Sequence, residues 1–223
     1  MKHIIDQLQS FSAASVFNPW SDIDPMDALG MHAAKARISR LEAHFNCRPS
    51  YLLIGEAPGY QGCHFSGVPF TNEKLILDGA VPRVKWNNRI TTRRLPWSEP
   101  AATIMWRTLH HLGIAGSTVM WNAYAWHPHH GACISKCCST CRPGDRYSNR
   151  TPTGAEVEAG LRILWDITAH FHEATVIAVG KVAARALAEI SMPCESVRHP
   201  SMGGAREFAE GLERIVDAQA VAS

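Results

Sequence analysis

The sequence predicts an α/β fold, a sandwich around a mostly parallel sheet. Four short runs of apolar and β-branched residues have the length and composition of buried parallel strands, at 51–54, 118–121, 175–179 and, more weakly, 196–198. Helical patterns separate these runs. Alternating strands and helices are typical of a parallel sheet that is covered by helices on both faces.

Each interval between the predicted strands contains a helical pattern. The segment 101–112 places its apolar residues on one face. Thr153 and Glu156 have the spacing of a capping box, in which the two side chains satisfy free backbone N–H groups at a helix start. The helix that follows is predicted to include Trp165 on its apolar face. A further apolar pattern runs over 182–190.

Length and composition indicate one globular domain. The 223 residues are 46% apolar, which is enough for one sizeable core. A formal charge of +2 excludes an overall polycation but leaves room for a local basic face. No apolar stretch is long enough to span a bilayer, and the N-terminal segment is a poor signal peptide. Seven cysteines argue against a fully paired disulfide framework. We therefore expect a soluble, cytoplasmic globular protein without a membrane partner. We also expect a monomer.

Polar residues follow three of the four predicted strands. Gly55-Glu56-Ala57-Pro58-Gly59 follows the first strand, Asn122 follows the second, and His199-Pro200-Ser201 follows the fourth. Ligands of open parallel sheets bind at the carboxyl ends of the strands. We therefore expect these segments to converge at one edge of the sheet.

These motifs resemble those of the uracil-DNA glycosylase superfamily. The resemblance is carried, in this order, by GEAPG at 55–59, Gly-Val-Pro-Phe at 67–70, Asn122, Asn-Arg-Thr-Pro-Thr at 149–153 and His-Pro-Ser at 199–201. It is strongest toward the GEAPG branch, which is family 4-like, and it spans about residues 50–215. It implies a single domain with an α/β fold, a three-layer α/β/α sandwich with a central four-stranded, mostly parallel sheet. It also implies excision of uracil or a related deaminated base from DNA, with no cofactor required for the chemistry.

Cleavage of an N-glycosidic bond needs a group that handles water on the sugar side and a hydrogen-bond donor at the departing base. Glu56 is the candidate for the water, and His199 is the candidate donor to uracil O2. Phe70 would stack on the flipped base, and Asn122 would read its N3–H and O4 edge. The remaining motif residues would line the base pocket: Gly55, Ala57, Pro58 and Gly59. Ordinary structural roles are the alternatives, such as a core position for Phe70.

The sequence also departs from the family pattern. The third motif position, where other branches carry the Asp or Asn that handles water, is Ala57. The fifth is Gly59, where the most uracil-strict branch has a Tyr that blocks the thymine methyl group, so Tyr60 or another group would have to supply that wall. The GEAPG branch usually carries a four-cysteine iron–sulfur cluster. Only Cys47 precedes the first motif here, so the usual cluster is not expected.

A Cys- and His-rich insertion is predicted at about 127–148. Its four cysteines lie within nine residues: Cys133, Cys137, Cys138 and Cys141. Together with a nearby His they could form a structural zinc site. The alternative is a loop of reduced cysteines.

Two segments are candidate DNA contacts. One is a run of five cations, which holds Arg83, Lys85, Arg89, Arg93 and Arg94. Trp86 and Trp97 lie in or beside this run and could stack on bases. The other is the loop after His199, where Ser201 and Met202 would enter the minor groove with Arg206 near a phosphate. A solvated loop is the alternative for the basic run.

Three function classes follow from these observations. The leading one is a monofunctional DNA glycosylase that hydrolyses the N-glycosidic bond and leaves an abasic site. The second is a catalytically weak module that binds damaged DNA with the same base pocket. The third is an α/β enzyme of free nucleosides or nucleotides, but the sequence has no Walker or GxGxxG phosphate loop to support it.

Overall fold

A computed structural model describes residues 1–85, 89–131 and 147–222. Over these ranges the strands are β1 (Val16–Phe17), β2 (Tyr51–Gly55), β3 (Thr118–Asn122), β4 (His127–Pro128), β5 (Thr175–Val179) and β6 (Glu195–Val197). The α-helices of the same ranges are α1 (Lys2–Ser10), α2 (Ala33–Phe45), α3 (Cys63–Ser66), α4 (Glu73–Leu77), α5 (Pro100–His111), α6 (Gly154–His170), α7 (Lys181–Glu189) and α8 (Ala205–Ala222). Short 3₁₀ turns precede α2 and β3.

The central sheet has the strand order β3-β2-β5-β6, and each neighbouring pair is parallel. β2 pairs in register with β3 from Tyr51 opposite Thr118 to Gly55 opposite Asn122. This register brings the carboxyl ends of β2 and β3 together, so the segments that follow the two strands start side by side.

Both faces of the sheet are covered by helices, because residues of a strand alternate between the faces. Leu52 and Ile54 pack into a core that includes residues of α1, α2, α6 and α7. Leu53 packs into a second core that includes residues of α4, α5 and α8. The result is the three-layer α/β/α arrangement that the sequence predicts.

A small antiparallel pair, β1 with β4, lies outside the central sheet. Phe17 of β1 stacks on the ring of His64 at a centroid distance of 3.7 Å. Within the described ranges, no helix combines the length and the apolar character needed to span a membrane.

The predicted elements are confirmed with small shifts. The weak fourth strand begins and ends one residue earlier than expected, at Glu195 and Val197. The capping box of Thr153 and Glu156 is present at the start of α6. The expected face of this helix is wrong at Trp165, which is 50% exposed, because the buried stripe runs through Ile163, Leu164 and Ile167.

Candidate active site

A cavity of about 770 Å³ opens at the carboxyl edge of the sheet. Its walls come from the GEAPG turn, Phe70, the start of α5, residues 149–151 and the loop 199–203. Volumes of this size are typical of ligand pockets. The structure therefore brings together the motifs after β2 and β6, as the sheet topology predicts.

Backbone hydrogen bonds hold the GEAPG turn against the chain after β3. The carbonyl of Gly55 accepts from the N–H of Ala123 at 2.8 Å, and that of Glu56 accepts from Tyr124 at 3.0 Å. The ladder thus continues one residue past the end of β2. The side chain of Glu56, partly exposed, lines the cavity together with Ala57, Pro58 and Gly59.

Gly55 provides the space in which Phe70 and Asn122 meet. A Cβ at this position would overlap the Phe70 ring and come 2.8 Å from Oδ1 of Asn122. Phe70 lines the cavity, whereas Asn122 is 2% exposed and is not part of the cavity wall. Phe70 also has a φ of 49°, a left-handed conformation that is unusual for a bulky residue and is frequent at functional sites.

The hydrogen bonds at Nδ1 of His199 determine which of its two ring nitrogens can donate. Its Nδ1 accepts from the backbone N–H of Ser201 at 3.1 Å, and the Ser201 hydroxyl lies 2.7 Å from the same nitrogen. Burial, together with the charge of Arg198, lowers the pKa of His199. The neutral ring then carries its proton on Nε2, since Nδ1 is an acceptor. His199 is thus a neutral donor in the cavity wall.

Residues 149–151 form another wall, and this residue range and the two residues before it are fixed at several points. The carbonyl of Ser148 accepts from Nε2 of His127 at 2.9 Å, and the Tyr147 hydroxyl donates to Asp24 at 2.8 Å. Asn149 accepts the backbone N–H of Tyr60 through its Oδ1 at 2.9 Å, which ties this wall to the GEAPG turn.

The wall from α5 contains Glu99, a carboxyl that belongs to none of the sequence motifs. Glu99 precedes Pro100 at the start of α5 and lines the cavity beside Gly59. Burial raises the pKa of Glu99 to about 7. An acidic residue before a proline at a predicted helix start was the available signal, but nothing linked it to a motif 40 positions earlier.

The predicted minor-groove loop lies at the rim of the cavity. Ser201 and Met202 line it, and Met202 is 91% exposed with a φ of 53°. Arg206 follows in the first turn of α8 with a largely exposed side chain near Glu210.

The basic run is only partly available to DNA, which corrects the sequence-based grouping. The guanidinium of Arg83 donates to the carbonyls of His44, Gly116 and Thr118, at the amino-terminal edge of the sheet and away from the cavity. Arg89 binds Glu73 and main-chain carbonyls of its own loop.

Trp97, which was predicted to stack on bases, is also largely buried. It is 6% exposed, it stacks on Phe65, and the Arg93 guanidinium lies 4.3 Å from its ring centroid, so little of the ring is open to a base. Lys85 and Arg94 are exposed. Trp86 lies outside the described residues.

The proposed zinc ligands Cys133, Cys137, Cys138 and Cys141 also lie outside the described residues. Within the described ranges, no group of three or more His, Cys, Asp and Glu could hold a metal. His127, a nearby candidate ligand, has Nδ1 next to His64 at 2.8 Å and Nε2 on Ser148, so both ring nitrogens are engaged.

A parallel α/β sandwich with a carboxylate, an aromatic ring and a neutral histidine in one cavity defines a class of ligand-binding α/β proteins. Comparison with known proteins identifies the family. The family model described as the uracil DNA glycosylase superfamily matches residues 43–218. The chain belongs to this superfamily.

The solved structures add support for the fold. The chain is similar to the crystal structure of wild-type SMUG2 from Pedobacter heparinus, with 12% sequence identity and a TM-score of 0.63. The match covers 99% of this chain and 97% of that chain. No match is found among the curated proteins.

Proposed function

We propose that this protein is a monofunctional DNA glycosylase that excises uracil or a related deaminated base and leaves an abasic site. The observation that carries the proposal is the convergence of Glu56, Phe70 and His199 on one cavity in a chain of the uracil-DNA glycosylase superfamily. Such a cavity has room for a base that has left the duplex.

The reaction replaces the N-glycosidic bond by a bond from the sugar C1′ to a water oxygen. The carboxylate of Glu56 positions this water and offsets positive charge that develops on the sugar. The Nε2–H of His199 donates to uracil O2 as negative charge develops on the base. The leaving base then takes up a proton. Phe70 stacks on the base, and Asn122, which lies with Phe70 beside Gly55, reads its N3–H and O4 edge. No cofactor takes part.

DNA is the proposed partner, and a monomer is sufficient because all proposed groups come from one chain. Met202 fills the space of the flipped base, while Ser201 and Arg206 contact the backbone beside it. Lys85, Arg93 and Arg94 are exposed and are the proposed source of further positive charge for DNA binding.

A module that binds damaged DNA without fast chemistry is the second candidate. This candidate is favoured by Ala57, which lines the cavity at the motif position where other branches of the superfamily have an Asp or Asn. Such a module would retain the base pocket and the rim loop but would release little free base.

The test is an end-labelled oligonucleotide that carries a single uracil, hypoxanthine or xanthine. It is incubated with the protein, treated with alkali and separated on a denaturing gel. Cleavage only at a deaminated base supports the glycosylase, and a lyase is ruled out if cleavage requires the alkali. A shifted band on a native gel without cleavage would favour the binding module. If neither cleavage nor a shifted band is seen with any of these bases, both candidate functions are contradicted.

A further inference from the structure

Glu99 is held rigidly at the start of α5. Its own carbonyl accepts from the Asn72 amide at 3.3 Å and from the Thr103 hydroxyl at 3.0 Å. Pro100 restricts the backbone of the preceding residue to extended conformations, and Glu99 has φ −108° and ψ 120°. Its side chain makes no capping bond to α5. The backbone of Glu99 is therefore fixed, and its carboxyl is not used to cap α5.

The carboxyl lies against the turn that follows the GEAPG motif. A Cβ on Gly59 would come 3.0 Å from Oε1, and a Cβ on Gly62 would overlap Oε2. Both glycines leave the space that the two oxygens occupy. Glu99 is partly buried, and it forms part of the cavity wall. The Glu99 carboxyl therefore occupies a defined space in the folded chain and is not a fully solvated surface group.

Among the described residues, no hydrogen bond or ion pair involves the two carboxyl oxygens. Burial is the cause of the raised pKa of Glu99, which brings it to about 7. A neutral carboxyl has one O–H donor and an acceptor, whereas an ionised one only accepts. At neutral pH a substantial fraction of Glu99 can therefore donate a hydrogen bond into the cavity.

We propose that Glu99 is a specificity-determining residue of the base pocket, which donates a hydrogen bond to an exocyclic carbonyl oxygen other than the one that His199 binds. This role rests on the proposed glycosylase function and extends it. The two donors lie on different walls of one cavity, so together they favour bases with two carbonyl groups, such as uracil and xanthine. An exocyclic oxygen has two lone pairs, so a bond from Glu99 is compatible with one from Asn122.

The charged and titratable groups near Glu99 do not compete for its carboxyl. The Cys63 thiol is neutral, because burial raises its pKa well above the usual value and Glu99 adds to this. Arg150 is bound by Glu156, and Glu73 is bound by Arg89 and Thr91, so neither is available to Glu99. Other titratable side chains on the surrounding segments are Glu56, Tyr60, His64, Tyr147 and His199.

The test compares the wild-type protein with Glu99→Gln and Glu99→Ala. Single-turnover excision is measured from pH 5.5 to 9 on DNA with one uracil and on DNA with pyrimidin-2-one, which lacks the 4-oxygen and also the N3–H. Because Asn122 is unchanged in all three proteins, a difference between them in the preference for uracil reports on Glu99. Thermal unfolding of each variant reports on folding. Gln is the matched variant, because its amide has the size of the carboxyl and donates at every pH.

The expected result is that Ala lowers the uracil rate about tenfold at pH 6, the effect of one lost hydrogen bond. Gln restores this rate, and the ratio of wild-type to Gln rates falls as the pH rises through about 7. The preference for uracil over pyrimidin-2-one also falls about tenfold in the Ala variant.

Wild-type rates in the Ala variant, in a protein that excises uracil, would overturn the role of Glu99 and leave the glycosylase intact. A Gln variant as slow as Ala, with a wild-type rate that increases with pH, would also overturn the role, because it would make the ionised form the active one. A folded wild-type protein that excises no base would overturn the proposed function itself and the role of Glu99 with it.

Discussion

Replacing Glu156 by Gln should destabilise the wall of the cavity that residues 149–151 form. The Glu156 carboxylate accepts two N–H groups of Arg150 at 2.7 and 2.6 Å and the backbone N–H of Thr153 at 2.8 Å. Arg150 in turn donates to the carbonyl of His129 at 3.0 Å. Gln keeps the size of the side chain but removes the charge from this cluster.

The magnitude follows from the pKa of Glu156. The Arg150 side chain, followed by the Thr153 backbone, lowers this pKa from 4.5 to about 2. The difference corresponds to an upper bound of about 3 kcal/mol. Both side chains are partly exposed, at 19% and 17%, so we expect a loss of about 1–2 kcal/mol at pH 7.

The pH dependence has a definite sign. The pKa is lower in the folded state, so the stabilisation is fully present above about 4.5 and is lost as the pH falls through about 2. The difference between wild type and Glu156→Gln should therefore shrink to less than half at pH 3.

Urea unfolding at pH 7 and pH 3 measures this difference. Glu210→Gln is the matched control, because it removes a carboxylate from an exposed pair with Arg206 and should change stability by less than about 0.5 kcal/mol. Equal stability of wild type and Glu156→Gln at pH 7, or a loss that does not depend on pH, would refute the reasoning.

Three further predictions concern other parts of the protein. Arg83→Ala should lower the free energy of unfolding by about 2 kcal/mol, because three carbonyls lose a donor, whereas Arg94→Ala should weaken DNA binding instead. Urea unfolding and DNA titrations at two salt concentrations measure the two effects, and finding them exchanged between the variants would contradict the prediction. Met202→Ala should leave thermal unfolding unchanged, since the side chain is 91% exposed, but should slow excision from duplex DNA more than from single strands, and equal slowing on both would argue against a wedge. Gly62→Ala should displace the Glu99 carboxyl and lower the uracil rate as Glu99→Ala does, and a folded Gly62→Ala variant with wild-type kinetics would contradict the described geometry.

The sequence was sufficient for the sheet and for the position of the site. Buried parallel strands are apolar on both faces, so the run Tyr51–Ile54 is visible as a continuous apolar segment. The strand-end rule then places Glu56 and His199 at one edge. The capping box of Thr153 and Glu156 was also predictable, because its two residues are three positions apart.

Tertiary contacts explain what the sequence did not predict. Arg83 and Trp97 look like DNA contacts in a basic segment, but one binds carbonyls at the far edge of the sheet and the other packs on Phe65. Trp165 was assigned to the wrong face, because small shifts in helix phase move a residue out of the buried stripe. Glu99 meets Gly59 only in the folded chain, so no local pattern could reveal it.

Single-turnover excision by Glu56→Gln and His199→Ala, measured alongside their affinity for the same damaged DNA, tests the central claim most directly. Glu56 handles the attacking water and His199 stabilises the departing base, so each variant should be at least tenfold slower than wild type while the DNA dissociation constant changes by less than about threefold. Wild-type excision rates in both variants would contradict the assignment of this cavity as the active site.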